Sequence, residues 1–190
     1  MAESATSHDD ERRATARRSL SVVVSTALLC VVVDQAIKGW ALTALADGRP
    51  VDVLGDLVQL HLVTNAGAAF SMGEGVTWLF TLLGLAITGV VLWAASGLRS
   101  REMRLLFGMF LGGVLGNLVD RLVREPGFGR GHVIDWLQVR GFAVMNLADI
   151  LLTVSVVGLV VVMLLRPREI DEVTHEHEGE GPEEGAPHAQ

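Results

Sequence analysis

Polar residues that could do chemistry stand inside or beside otherwise apolar segments of this 190-residue chain. They are carboxylates, amides and two cations, in the order Asp34, Lys38, Asn65, Asn117, Asp120, Arg121, Asp135, Asn146 and Asp149. Two carboxyl groups that face one another at close range cannot both ionise, so they share one proton. The ionised member can then take a proton from water while the protonated member donates one to a carbonyl oxygen.

Other hydrolytic residue sets are missing from the sequence. It has no His-Glu-x-x-His and no Gly-x-Ser-x-Gly motif, and no cysteine and histidine pair accompanies the acidic residues. Asp135 and Asp149 have only His132 as an evident third ligand, so we expect no metal and no other cofactor. This elimination favours an aspartic pair, but it leaves open whether Asp149 pairs with Asp120 or with Asp135.

Four long apolar runs must position these residues. The runs cover roughly 20–45, 76–96, 103–123 and 145–165, and each is near the ~20 residues that a helix needs to cross a ~30 Å hydrocarbon core. A run such as SVVVSTALLCVVV has no polar face, whereas the helices of a soluble bundle do. We therefore expect an all-α membrane protein with four transmembrane helices.

The two ends of the chain differ from this apolar part. Residues 1–11 carry four acidic groups and residues 169–190 carry eight, without Lys or Arg. This composition is typical of disorder, and we predict disordered cytoplasmic tails at 1–18 and 167–190 around a four-helix transmembrane domain at 19–166. Basic residues before the first run and after the second and fourth runs favour cytoplasmic termini.

With that orientation, polar residues from three runs fall at a similar depth. Counted at ~1.5 Å per residue from the cytoplasmic ends, five of them lie between roughly 18 and 28 Å into the bilayer: Asp34, Asn117, Asp120, Asn146 and Asp149. Charged residues within lipid are costly and usually mark function. The sequence therefore predicts a site in the outer third of the bilayer.

Ion pairing is expected among some of these residues. Asp34 and Lys38 are four residues apart, so they share a helix face and form a structural ion pair in our interpretation. Asp120 and Arg121 are interpreted as an orienting pair, with Asn117 on the same face of the third run. A stripe of small residues on that run favours close approach by another helix: Gly108, Gly112 and Gly116.

The segment between the first two runs has a different pattern. Residues 57–63 (LVQLHLV) alternate between apolar and polar side chains, which is the period of a half-buried strand. They lead into small residues around Asn65 and Phe70, which indicate a loop where the backbone comes close to another group.

The order of these motifs resembles the bacterial lipoprotein signal peptidase family (signal peptidase II). The resemblance spans about residues 20–165, and its motifs are Asp34…Lys38, Asn65-x-Gly67-Ala68-Ala69-Phe70, Gly116-Asn117-x-x-Asp120-Arg121, Val133-Ile134-Asp135 and Asn146-x-Ala148-Asp149. It implies an intramembrane aspartic endopeptidase that removes signal peptides from diacylglyceryl-modified prolipoproteins. The implied cut lies just before the lipidated cysteine.

The resemblance also implies roles for single residues. By motif position it makes Asp135 and Asp149 the catalytic dyad. It assigns a second group to the substrate site: Asn65, Gly67, Ala69, Phe70, Asn117, Arg121 and Asn146. It implies a small extracytoplasmic β-like platform between the first two helices, in agreement with the alternation at 57–63. Three residues depart from the family pattern and affect the shape of the pocket: Trp136, Met145 and Ile150.

The partners and location follow from the same resemblance. We expect diacylglyceryl-modified prolipoproteins and membrane lipids as partners, no nucleic acid, and no requirement for oligomerisation. The expected location is the bacterial cytoplasmic (inner) membrane, with several passes and with the active site near the outer face.

Two other classes of protein fit the sequence less well. A small ion-coupled transporter would also place polar residues in the membrane, but such proteins usually show repeated halves, and the chain has no internal repeat. A membrane scaffold built on the glycine stripe would leave the shared depth of the polar residues without a reason.

Overall fold

The computed structural model describes residues 2–67 and 76–165, with side chains from residue 13 onward. This part of the chain contains four helices and three strands: α1 (Ala2–Ala44), β1 (Val51–Leu54), β2 (Val58–Asn65), α2 (Thr77–Ala95), α3 (Arg101–Val123), β3 (Val133–Val139) and α4 (Leu147–Leu165). The four apolar runs therefore form the four helices, as predicted, with boundaries that differ by a few residues except at the start of α1.

All four helices are long and apolar enough to cross a membrane, α1 over the part 13–44. Large apolar side chains such as Leu29, Leu83 and Val157 are exposed on the outside of the bundle. Hydrocarbon solvates such a surface, and a helix satisfies its own backbone hydrogen bonds there. The protein is a multi-pass membrane protein with a mostly helical fold.

Helix α1 begins at Ala2, so the backbone of residues 2–18 is helical where composition predicted a disordered tail. A physical reason lies in the sequence, because neither Gly nor Pro occurs before Gly39 to end the helix. The second predicted tail, 167–190, lies outside the described residues. The division into tails and a domain at 19–166 stays a prediction.

Helix α3 packs against each of the other three helices. Its glycine stripe faces α1, since a Cβ on Gly112 would lie 2.5 Å from Cys30 Cβ and 3.1 Å from the Ala27 carbonyl oxygen. Gly113 faces α4 instead, where a Cβ would lie 2.7 Å from the Ala148 carbonyl oxygen. The small residues thus allow α3 to fit between α1 and α4. The close approach of α1 along the stripe is what the spacing predicted, whereas the contact of Gly113 with α4 was not predicted.

The two ends of the bundle differ in polarity. One end has an apolar core formed by α1, α2 and α3: Val23, Ala27, Val91, Ala95 and Leu111. At this end, Ser19 links α1 to α2 by donating a 2.6 Å hydrogen bond to the Ala95 carbonyl oxygen. The buried charges of α1 and α3 lie at the other end, which is also where the three strands attach.

The strands form one antiparallel sheet in the order β1-β2-β3. Strand β2 confirms the strand predicted at 57–63. The platform is larger than predicted, because β3 comes from the connection between α3 and α4 and pairs along β2. The sheet therefore joins two connections that are far apart in sequence.

A bulge between β2 and β3 decides which residues share a face. Leu60 pairs with Leu137 and Val63 pairs with Asp135, so β2 advances three residues where β3 advances two. One extra residue in a strand reverses the facing of all that follow. The bulge therefore puts Asn65, and not Thr64, on the face of the sheet that carries Asp135.

Substituting alanine for Gly112 tests the close approach of α1 and α3. The added Cβ would overlap Cys30, and such overpacking costs about 1–3 kcal/mol. Gly89→Ala is the matched control, because its Cβ would meet nothing within 4 Å and alanine gains up to about 1 kcal/mol in helix propensity. Thermal unfolding in detergent should show a lower Tm for Gly112→Ala only. Equal shifts in the two variants would contradict this packing.

Candidate active site

Asp135 is the third residue of β3 and is buried, with 2% of its surface exposed. Its two carboxyl oxygens each accept a side-chain amide. Asn65 at the end of β2 donates to Oδ2 at 3.0 Å, and Asn146 donates to Oδ1 at 2.6 Å. The bulge in the sheet brings Asn65 to this position, so β2 and β3 position one face of the carboxyl group together.

Asp149 lies in the first turn of α4 and is half-buried. Asn146 precedes the helix, and the two residues exchange hydrogen bonds. The Asp149 backbone N–H donates to Asn146 Oδ1 at 3.2 Å, and the Asn146 backbone N–H donates to Asp149 Oδ2 at 3.1 Å. This reciprocal pattern is a capping box, and the positive end of the helix dipole favours an anion there. Asn117 of α3 donates to Asp149 Oδ1 at 2.9 Å.

Asn146 connects the two carboxyl groups. Its amide nitrogen contacts Asp135, its amide oxygen accepts from the backbone of Asp149, and its side chain is fully buried. The same amide nitrogen donates to Asn117 Oδ1 at 3.1 Å. Asn146 therefore binds the Asp135 carboxyl group through its side chain and the Asp149 carboxyl group through its backbone N–H.

The environments of the two carboxyl groups differ. Burial raises the pKa of Asp135 to about 6, the hydrogen bonds from Asn65 and Asn146 oppose this, and the charge of Asp149 adds to it. Asp149 is more exposed and accepts a backbone N–H and an amide. The arrangement can hold one protonated and one ionised carboxyl group, as acid–base hydrolysis requires.

Asp120 belongs to a different cluster. The Lys38 Nζ lies 2.8 Å from Asp34 Oδ2 and 2.7 Å from Asp120 Oδ2, and all three side chains are 0% exposed. Arg124 also pairs with Asp120, at 2.5 Å. Position favours Asp135 as the partner of Asp149, because the two residues share Asn146 whereas Asp120 faces Lys38.

The predicted orienting pair of Asp120 and Arg121 is replaced by other contacts. The Arg121 guanidinium lies over the Phe80 ring, 5.1 Å from its centre, and donates to the Gly131 carbonyl oxygen at 3.4 Å. Neighbouring residues of a helix point in different directions, so Asp120 faces α1 while Arg121 faces α2.

Gly67 has a packing role that its sequence context did not reveal. Its φ is +100°, and a Cβ there would lie 2.6 Å from the Phe80 ring. Its backbone N–H donates to Asn65 Oδ1 at 2.8 Å, which turns the amide nitrogen of Asn65 toward Asp135. Two further residues of the predicted substrate site, Ala69 and Phe70, lie outside the described residues.

Three residues make contacts near the site that were not predicted from the sequence: Gln35, Phe80 and Arg124. Gln35 donates to Asp34, to Asp120 and to the Gly116 carbonyl oxygen, and an amide beside Asp34 in an apolar run was a signal for it. Phe80 and Arg124 gave no such signal, because their roles depend on which helix faces they meet.

Two of the residues that depart from the family pattern, Trp136 and Met145, hold the end of β3 in place. Trp136 packs edge-to-face on Trp40 of α1, with ring centres 6.5 Å apart. The Met145 carbonyl oxygen accepts the backbone N–H groups of Trp136 and Leu137 at 3.1 and 2.8 Å. Met145 thus extends the backbone pairing of β3 up to the start of α4.

Comparison with known proteins identifies the family to which the chain belongs. A model of the family described as signal peptidase (SPase) II matches residues 26–165. The chain belongs to the signal peptidase II family. The matched segment of this family member includes every residue of the site described above.

Relatives support the same assignment over most of their length. The lipoprotein signal peptidase of Leifsonia xyli subsp. xyli (strain CTCB07) is 46% identical over 168 residues, which are 87% of this chain and 77% of the relative. The lipoprotein signal peptidase of Mycobacterium tuberculosis (strain ATCC 25618 / H37Rv) is 40% identical over 163 residues, or 84% and 79% of the two chains.

Two solved structures, each described as a bacterial membrane enzyme, share the fold. One has a TM-score of 0.66 at 20% identity, with 88% of this chain and 95% of the other covered. The second has a TM-score of 0.67 at 22% identity, with 76% and 93% covered. The helical bundle with its small sheet is thus a known membrane-enzyme fold.

Proposed function

We propose that this signal peptidase II family member removes signal peptides from diacylglyceryl-modified prolipoproteins as an intramembrane aspartic endopeptidase. The proposed cut lies just before the lipidated cysteine. The observation that carries the proposal is that Asn146 binds the carboxyl groups of both Asp135 and Asp149, at the polar end of a membrane-spanning bundle. The family and the names of the relatives support the substrate class.

The different environments of the two carboxyl groups support a division of roles. Asp149 is the base that takes a proton from the attacking water, because it is half-buried and lies at a helix N-terminus. Asp135 is the acid that donates to the carbonyl oxygen of the scissile peptide, because its pKa is raised to about 6.

Asp149 and Asp135 accept and donate every proton that this reaction transfers, and both return to their starting states. The water oxygen forms a bond to the carbonyl carbon as Asp149 gains a proton and Asp135 loses one. When the tetrahedral intermediate collapses, the carbon–nitrogen bond breaks. Asp149 then gives its proton to the departing amine of the lipidated cysteine, and Asp135 recovers its proton from the hydroxyl group.

Neighbouring polar groups are proposed to line the substrate site. Asn65, Asn117 and Asn146 can reorient an amide toward substrate without adding charge. Arg121 interacts electrostatically with both dyad carboxyl groups. Gly67, Ala69 and Phe70 complete the proposed substrate site. Gly67 would act indirectly, by making room for Phe80 and orienting Asn65.

The proposed location is the cytoplasmic (inner) membrane, with both termini in the cytoplasm and the dyad near the outer face. Arg99, Arg101 and Arg104 lie at the end of the bundle opposite the sheet, which agrees with the positive-inside rule. A diacylglyceryl group would hold the substrate cysteine at the outer interface, next to this end of the bundle. One chain supplies both carboxyl groups, so the proposed reaction needs no oligomer.

Asparagine at either dyad position tests the proposed chemistry. Asp135→Asn and Asp149→Asn should each reduce cleavage of a diacylglyceryl-modified prolipoprotein peptide by at least about 100-fold, because each removes a proton donor or acceptor. Asp56→Asn is the matched control, since Asp56 pairs with Arg140 on the exposed surface of the sheet. Full activity in either dyad variant, with normal insertion and purification, would refute the assignment.

Reporter fusions test the orientation separately. A reporter placed after Leu165 should read as cytoplasmic, and one inserted at Gly55, in the exposed turn between β1 and β2, should read as extracytoplasmic. The reverse pair of readings would place the dyad on the wrong side of the membrane for the proposed substrate.

A further inference from the structure

Two buried carboxylates outside the dyad each accept the backbone N–H of the residue that precedes a dyad aspartate. Asp34 Oδ1 of α1 accepts the backbone N–H of Ala148 at 3.1 Å, one residue before Asp149. Asp120 Oδ2 of α3 accepts the backbone N–H of Ile134 at 3.3 Å, one residue before Asp135. Each dyad residue is thus tied through its neighbour to a buried carboxylate of another helix.

Lys38 joins the two carboxylates. Its Nζ lies 2.8 Å from Asp34 and 2.7 Å from Asp120, and it is fully buried between them. The same Nζ donates to Asn117 Oδ1 at 3.0 Å, so the amide nitrogen of Asn117 faces Asp149. Lys38 is therefore linked to the dyad in three ways. Asp34 links it to the backbone before Asp149, and Asp120 links it to the backbone before Asp135. Asn117 links it to the Asp149 side chain.

We infer that Asp34, Lys38 and Asp120 form a brace that sets the separation and orientation of the dyad carboxyl groups, with Lys38 as a positioning residue. The inference rests on the proposed function. A buried charge that loses its partner is strongly unfavourable, so any movement of β3 relative to α4 that stretches the two ion pairs is resisted. Displacement of a reacting group by about 1 Å can reduce a rate about 100-fold.

A purely structural ion pair would not require this arrangement. Asp34 and Lys38 could neutralise one another within α1, and Asp120 could be neutralised by Arg124 within α3. Instead Lys38 lies between two carboxylates that each bind a backbone N–H next to the dyad. A stabilising role alone predicts that stability and rate fall together, whereas a brace predicts a loss of rate at preserved stability and substrate affinity.

The double variant Asp34→Asn/Lys38→Met separates these outcomes. It removes one positive and one negative charge, keeps an amide oxygen to accept the Ala148 N–H, and leaves Asp120 paired with Arg124. We expect it to fold with a Tm close to that of the wild type, to keep the KM for the diacylglyceryl-modified peptide, and to lose about 100-fold in kcat. Ser19→Ala is the control, because it removes a buried hydrogen bond of α1 at the other end of the bundle and should lower Tm without lowering kcat.

An unchanged kcat in the double variant would overturn the brace, and so would a fall in kcat matched by a fall in Tm. If the double variant does not fold, Asp34→Asn alone decides, since it weakens the link to α4 and leaves Lys38 on Asp120 and Asn117. We expect kcat to fall at unchanged KM and Tm, and an unchanged kcat would overturn the brace. Cleavage by the wild type, lost in Asp135→Asn, tests the proposed function independently.

Discussion

The ammonium group of Lys38 has to be neutralised inside a bundle whose outer surface faces hydrocarbon, and much of the polar end of the molecule is built around that requirement. Two carboxylates from two helices surround it. This is possible only because α3 comes close to α1, where a Cβ on Gly116 would lie 2.8 Å from Asp34 Oδ2. The glycine stripe and the buried charges are therefore parts of one packing solution.

Three uncharged amides contact the carboxyl groups of the proposed dyad, and each turns its nitrogen toward a carboxyl group. The oxygen of Asn65 accepts from Gly67, that of Asn117 accepts from Lys38, and that of Asn146 accepts from Asp149. With each oxygen engaged, each amide nitrogen faces a dyad carboxyl group. Amides can position the carboxyl groups in this way without forcing both to ionise, as a full positive charge in contact with them would favour.

Hydropathy predicted the four helices well because a span of lipid imposes both length and composition on a local stretch of sequence. The strand at 57–63 was also visible, since its alternation is local. Strand β3 was not, because its sequence VIDWLQV lacks a simple alternation and its partner lies in a distant connection. The bulge that aligns Asn65 with Asp135 likewise exists only in the paired sheet.

The candidate site shows the same division between local and distant information. Depth along the helices brought Asp34, Asn117 and Asp149 to one layer, but it could not tell which way each side chain points. From the residues alone Asp120 was therefore an alternative partner of Asp149, and only the family resemblance favoured Asp135. The contact of Asp120 with Lys38 supports that choice. Gly67 was assigned to the substrate, whereas its contact with Phe80 depends on the packing of α2.

The pH dependence of kcat/KM for prolipoprotein cleavage tests most directly whether Asp135 acts as the protonated member of the dyad. Its pKa of about 6 predicts that kcat/KM falls as the pH rises through that value. The variant Asn65→Leu changes the surroundings of Asp135 without changing charge. It keeps the charged groups that act on the Asp135 carboxyl group, which are Asp149, Lys38 and Arg121.

That variant removes a hydrogen bond that favours the ionised form, so the pKa of Asp135 should rise and the fall in kcat/KM should move to higher pH. Gln59→Leu on the same strand, whose amide binds the surface residue Asp52, should leave it in place. A fall that does not move in Asn65→Leu, or that moves to lower pH, would contradict the account.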